Sequence, residues 1–524
     1  MDRTHPQPPQ VLTPRRLDAF ATPLTLTAGL LALSLLPRVR ATEALTWSFW
    51  GAAVVFLLWQ AILAARPGPT PGLHFVPPRR QHYIQSFCQG SVYLYWGWYW
   101  PPVYDFFPLL VGQLLFAYVF DMLIAWSRGE DYQVGMGPFP IIFSTNLFLW
   151  FKDDWFALQF VLVAVGFLGK AFVRWNRDGK RVHIFNPSAF TLAIFSLGLL
   201  LTGTTDLTWG QEINTTFSLG PWIYTVLFLI GLVVMYFFAI TPVTVGAAAT
   251  LFAASAIYQT VAGVPYFVDS EIPSAVFLGL HLLVTDPSTS PRTPVGRAIF
   301  GVMYGLGVFV LYGMLTALGQ PTFYDKLLCV PLLNLMVPSI DRFVRAIGTQ
   351  PILTRLRLDG PIGRGNLAHM AVWVVFFAVM TMSGRTDGMH QGDALPFWQQ
   401  ACGEGRPLAC ERLLRIEASY CADNTGWACN ELGRHYVEGR LVAADADRAF
   451  AYFSRACEAR FQPGCVNLLG PSPPATAEPR AIDLRLLLRE GGPNLLEMPE
   501  RELFVRACRH GWRFACETTR AASR

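Results

Sequence analysis

The sequence predicts an all-α membrane protein: a polytopic bundle of about 10–13 transmembrane helices followed by an external α/α-repeat domain. Apolar runs recur to about residue 383. The chain is 52% hydrophobic and only 15% charged, where a soluble chain carries about 25% charge. Beyond Gly384 charges become frequent, and eight of the ten cysteines follow residue 400. These shifts divide the chain into a cytoplasmic tail over 1–16, a membrane domain over 17–384 and a cysteine-rich domain over 385–524 with an insertion at about 470–490.

The candidate helices are 17–37, 45–65, 84–100, 105–126, 137–151, 155–173, 187–203, 220–239, 245–263, 274–285, 298–318, 324–340 and 365–383. Arg15 and Arg16 precede the first apolar run, and no small-x-small cleavage site follows it. That pattern reads as a retained first helix. The runs 137–151 and 274–285 are too short for full spans and read as half-helices lining a protein-buried region.

Loop charges set the orientation. Segment 66–83 carries Arg66, Arg79 and Arg80; segment 174–181 carries Arg174, Arg177, Lys180 and Arg181; segment 341–364 carries five arginines. All three read as cytoplasmic. Segment 204–219 has Asp206 and Glu212 and no basic residue, so it reads as external. Alternating crossings then deliver the C-terminal domain outside a bacterial inner membrane, in the periplasm. The net charge of +5 is spread over short loops, which points to the lipid bilayer as partner and gives no footing for nucleic acid.

The late cysteines form four pairs, each eight positions apart: Cys402/Cys410, Cys421/Cys429, Cys457/Cys465 and Cys508/Cys516. Eight residues of helix span about 12 Å, and a disulfide needs Cα atoms within about 7 Å. Bonded pairs therefore require a turn between the two cysteines, a helix–turn–helix hairpin with a staple across it. Free thiols and zinc ligands are the alternatives, although zinc sites favour gaps of about two to four residues. Disulfides need an oxidising compartment, in agreement with the loop charges.

The stretch from Ala428 to Cys457, with Leu432, Gly433, Tyr436, Gly439, Asp445, Ala449, Phe453 and Ala456 at its pattern positions, resembles the cysteine-rich Sel-like repeat, a relative of the tetratricopeptide repeat. The resemblance covers about 397–466 and implies binding to protein partners.

Three polar blocks interrupt the membrane domain. Lys170 leads to Phe185-Asn186-Pro187-Ser188-Ala189-Phe190, with Asn186 placed as the cap of a helix that begins at Pro187. Thr285-Asp286-Pro287 begins a polar stretch to Gly301 that includes Thr289. Asn334, Pro338, Ile340, Asp341 and Arg342 form the third. In this order the blocks resemble one family of membrane subunits, NqrB of the sodium-translocating NADH:quinone reductase and RnfD of the Rnf electron-transport complex. The resemblance covers about 155–345, and region 80–155 resembles only the variant, enediyne-cluster-like branch.

The resemblance implies a membrane-embedded flavin subunit working with other electron-transport subunits. Family members carry FMN on a threonine in an external loop, within a motif close to Ser-Gly-Ala-Thr. The corresponding loop here, Thr202 to Pro221, has no Gly-Ala-Thr. Thr215 and Thr216 are its candidates by position. A noncovalent FMN or riboflavin near Lys170, Asn186, Thr285, Asp286 and Thr289 is the other form the resemblance implies. A flavinless descendant, acting as a transporter, an export accessory or an anchor for the repeat domain, is the alternative. No metal is expected.

Other features carry less. His183, His281 and His369 lie in or near spans and are possible haem ligands, though lone histidines usually have structural partners. Asp121 is an intramembrane carboxylate, functional by default or snorkelling near a helix end. The Tyr93–Trp100 cluster is an interfacial belt or a stacking surface for a planar ligand such as a quinone. No Walker loop, nucleophile elbow or HExxH occurs, so neither an ATP-driven pump nor a protease is supported.

Overall fold

A computed structural model describes residues 16–66, 72–177, 179–267, 270–347, 362–386, 390–422, 424–439 and 441–459, with isolated positions beyond. Its membrane part comprises α1 (Arg16–Leu33), α2 (Glu43–Ala65), α3 (Arg80–Tyr99), α4 (Phe107–Ser127), α5 (Pro138–Asn146), α6 (Ala157–Phe172), α7 (Pro187–Thr202), α8 (Ile223–Phe238), α9 (Thr241–Ala262), α10 (Ser274–Leu282), α11 (Pro294–Ala317), α12 (Asp325–Ile347) and α13 (Ile362–Met382). Helices α2, α4, α9, α11, α12 and α13 are long and apolar enough to cross a membrane, and α1, α6, α7 and α8 are shorter apolar helices. The protein is an all-α, multi-pass membrane protein.

Two sets of five helices pack alike. In the first, α3 and α4 both touch α5, α4 touches α6, and α6 touches α7. In the second, α8 and α9 both touch α10, α9 touches α11, and α11 touches α12. Between the sets α3 meets α8 and α7 meets α12, so first pairs with first and fifth with fifth, as in a two-fold arrangement. The third helix of each set has only nine residues, about 14 Å of rise, and an irregular segment completes its crossing. Helices α1 and α2 pack beside the first set and α13 beside the second. The ring of Phe377 on α13 stacks on Phe228 at 4.0 Å.

One end of the bundle is basic. There the antiparallel strands β1 (Arg174–Arg177) and β2 (Lys180–His183) form a hairpin where a loop was expected. Helix α12 runs through Pro331 and Pro338 to Ile347, beyond its expected end at 340; internal prolines are tolerated in membrane helices. At the opposite end Arg38 pairs with Asp153 at 2.7 Å and Lys152 lies 3.9 Å from Glu212.

Helices α9 and α11 approach at backbone distance. A Cβ at Gly301 would lie 2.0 Å from the Val243 carbonyl oxygen, so only hydrogen fits, as in the small-residue contacts of membrane helices.

Past α13 the chain builds α14 (Leu395–Gly403), α15 (Ala409–Ala422), α16 (Gly426–Glu438) and α17 (Ala446–Glu458). Disulfides Cys402–Cys410 and Cys421–Cys429 close the turns at the two ends of α15, with Cα separations of 4.5 and 4.6 Å. Positive φ values at Gly405, Leu408 and Asn424 reverse the chain inside those turns. Cys457 is also bonded; Cys465, Cys508, Cys516 and the expected insertion lie outside the described residues. The module core includes Trp398, Leu413, Trp427 and Leu432. Beside it, buried Glu417 accepts from His435 at 2.9 Å. Burial lowers the His435 pKa, but the Glu417 hydrogen bond and charge outweigh it and hold the imidazole above its usual range.

Two outcomes are expected. Gly301→Leu forces α9 and α11 apart and costs about 3 kcal/mol or more, seen as a lower melting temperature of the solubilised protein, while Gly198→Leu, with open space around it, changes it little. The raised His435 pKa gives stability that is full below the ordinary histidine range and is lost as pH rises through the folded value. His435→Gln should flatten that part of the pH dependence of melting; an unchanged profile would remove the pair from the account.

Candidate functional site

The three polar blocks converge at the basic end, around the irregular segment that follows α10. Asn186 caps α7: its Oδ1 accepts from the Ser188 and Ala189 backbone N–H groups at 3.1 and 3.4 Å. Its Nδ2 donates to the Leu283 carbonyl at 3.1 Å, where α10 ends. Asn334, from the middle of α12, accepts from the Asn186 backbone N–H and donates to the Thr289 carbonyl, both at 3.2 Å. Asp341, also of the third block, pairs with Arg177 of β1 at 2.7 Å and accepts from the Arg292 N–H at 3.1 Å. Arg297 donates to the Pro291 carbonyl at 2.9 Å.

The segment also folds on itself. Thr285 donates to the His281 carbonyl at 2.6 Å. Asp286 accepts from the Ser288 N–H, the Ser288 hydroxyl and the Thr289 hydroxyl. Asn186, Thr285, Thr289 and Asn334 are all buried. Their hydrogen bonds run to one another and to the backbone, so this set braces an unwound crossing.

Lys170 stands at the edge of this cluster, its Nζ 3.1 Å from Asp121 Oδ2. That contact gives the intramembrane carboxylate a partner. His183 of β2 reaches Ser288 at 3.2 Å. Burial, then the Lys170 and Arg174 cations, hold its pKa below the usual histidine range against the pull of Asp286. His281 sits buried in the last turn of α10 with Nδ1 at 2.8 Å from the Phe277 carbonyl. No group of three or more metal-ligating side chains occurs among the described residues.

Sequence reasoning missed the matching brace in the first set. Gln113 of α4, Asn146 at the end of α5 and Gln159 of α6 bond to one another at 2.8 to 3.2 Å. Gln159 also accepts from the Phe151 N–H at 2.9 Å, in the extended segment after α5. The signal was an amide inside each of three apolar runs.

The loop between α7 and α8 holds the other candidates. Thr216 ends a short helix, Gly210–Thr216. Its hydroxyl donates to the Glu212 carbonyl at 2.6 Å and accepts from Trp96 Nε1 at 3.3 Å. The Thr215 side chain lies outside what the structure describes. Trp100 stacks on both Trp96 and Trp150, Trp96 lies tilted against Trp150, and Phe106 stacks on Trp150 with ring centroids 4.1 Å apart. Trp98 is exposed on the opposite face, so the aromatic cluster is split between core and lipid. Between α3, α4 and α5 an apolar cavity of about 480 Å³ is lined by Phe87, Tyr93, Tyr104, Phe106, Phe107 and Phe143 among others.

Asn334→Ala is expected to leave the Asn186 N–H and the Thr289 carbonyl unpaired and to cost about 2–4 kcal/mol. The melting temperature of the solubilised protein should fall well below that of Leu335→Ala, whose parent side chain is half exposed; equal melting of the two would sink the bracing role.

A model of the NQR2, RnfD, RnfE family matches residues 138–348, less than half of the chain. A subunit of the ion-translocating oxidoreductase complex of Tolumonas auensis is 33% identical over 124 residues, 22% of this chain and 33% of that relative. The match thus spans about one third of that relative's length. No solved structure matches. The likeness to the NQR2, RnfD, RnfE family therefore rests on residues 138–348, the stretch that runs from α5 into α12 and contains all three polar blocks.

Proposed function

We propose that this chain is a membrane subunit of an ion-translocating electron-transfer assembly. Its basic end and N-terminus face the cytoplasm, its stapled module faces the periplasm, and further electron-transport subunits complete the assembly. The supporting observation is that three blocks, with Asn186 and Asn334 148 positions apart along the chain, meet around one unwound crossing within the stretch that resembles the family.

A bound flavin supplies one- or two-electron transfer. The residues that would hold it are those of the external loop. Thr216 carries a half-buried hydroxyl beside the indole of Trp96. Lys152, 3.9 Å from Glu212 and 5.3 Å above the Trp209 ring, brings to the same loop a cation of the kind a phosphate pairs with. To take a phosphoester, Thr216 must release the Glu212 carbonyl. The bracing residues Asn186, Thr285 and Thr289 would hold the unwound crossing rigid toward the basic end, away from that loop.

The engaged Thr216 hydroxyl and the missing Gly-Ala-Thr favour a second reading: a flavinless descendant that serves as transporter, export accessory or anchor. The absorption spectrum of the purified protein separates the two. A flavin band with fluorescence that survives denaturing electrophoresis, and is lost in Thr216→Ala, is expected for covalent attachment; a band whose flavin dissociates on denaturation indicates noncovalent binding. A colourless protein overturns the redox reading and leaves substrate flux in vesicles as the measurement for the second.

A further inference from the structure

The module after α13 is bound to its own bundle. Three arginines spaced along the α14–α15 hairpin reach across to backbone carbonyls of the second helix set. Arg406, in the turn closed by Cys402–Cys410, donates to the Gly263 carbonyl at 2.8 Å. Arg412, only 4% exposed, donates to the Pro265 carbonyl. Its guanidinium lies 5.4 Å from the Trp398 ring centroid and 6.0 Å from that of Tyr258, one ring from the module and one from α9. Arg415 donates to the Thr316 carbonyl in the last turn of α11. Arg406 and Arg415 are also held by Glu404 and Glu411 on their own hairpin. Val264 of the bundle is fully buried within the module's apolar core.

These acceptors are main-chain groups at the ends of the two helices that pack most closely, α9 and α11. A planar guanidinium with several donors suits carbonyls left over at helix ends.

A second contact lies on the same seam. Glu271 sits three residues before α10, its side chain 3% exposed. Its charge partners both come from beyond α13: Arg385, which bonds to Oε1, and His390, at 3.4 Å. Burial alone would push this carboxyl up; the His390 hydrogen bond and the Arg385 charge outweigh it and hold Glu271 below the usual range. Without the C-terminal segment, Glu271 would stand as an uncompensated carboxylate where the chain turns into the half-helix.

We propose that the stapled module is an intramolecular cap: through Arg406, Arg412 and Arg415 it clamps the ends of α9 and α11, and through Arg385 and His390 it covers Glu271 at the mouth of α10. Its α14–α15 face is thereby occupied, and among the described residues of the module the faces of α16 and α17 are left to an external protein partner, with Val437 and Phe450 exposed there. This inference stands apart from the flavin question.

Hydrogen exchange of the full-length protein in nanodiscs tests it. The readout is the exchange rate of residues 258–267, at the seam, relative to residues 426–438, inside the module. The Arg406→Gln/Arg415→Gln double variant keeps the buried Arg412 and so spares the module core; the triple variant adds Arg412→Gln. The expected result is a roughly tenfold or greater rise in the ratio, larger in the triple variant. An unchanged ratio with both segments still protected overturns the cap. So does a parallel rise of both segments in the double variant, because the arginines would then serve the module's own fold and not the seam.

Discussion

Unwound backbone inside a bilayer must find all its hydrogen bonds within the protein, since no water is there to supply them. Each unmet group costs several kcal/mol. Both helix sets break their third crossing after nine helical residues, and both meet the same requirement with side chains from neighbouring helices. In the first set, three neutral amides form a closed triangle that reaches the Phe151 backbone. In the second, two asparagines and the Asp341–Arg177 pair hold the chain from Leu283 to Arg292.

The two solutions differ in chemical character. The amide triangle is fully buried and uncharged, and Trp150, which packs with Trp96 and Trp100, donates to the carbonyl of its Asn146. The brace of the second set opens at the basic end through Asp286, His183 and Lys170, where hydroxyls and charges gather. At its other end the stapled module sits on the helix termini. A nearly symmetric framework thus carries an unsymmetric distribution of polarity, with the chargeable groups concentrated along the second broken crossing.

The spans were legible because hydrophobic length is a property of the chain itself. All thirteen candidate runs correspond to helices, and the two that read as half-helices are the nine-residue α5 and α10. The hairpin at 174–183 was not read, although its Asp178-Gly179 dipeptide is a turn signal and Gly179 adopts a positive φ. Gln113, Asn146 and Gln159 escaped because they share no motif and meet only through tertiary packing. Asn186, Thr285 and Asn334 were picked out by pattern, yet the pattern is silent on whether an amide faces a ligand or a carbonyl. The docking arginines were illegible for a related reason: their acceptors are backbone oxygens, which leave no residue type to recognise at Gly263, Pro265 or Thr316.

The double role of Asn334 fixes a biosynthetic order. Its side chain joins the start of α7 to a loop 45 positions upstream of itself, and it is itself among the last residues of the second helix set to leave the ribosome. Until α12 is inserted, the Thr289 carbonyl and the Asn186 N–H lack their Asn334 partner. A chain stalled before that point is a natural substrate for membrane quality control, and the time needed to translate from Thr285 to Asn334 sets how long that vulnerability lasts.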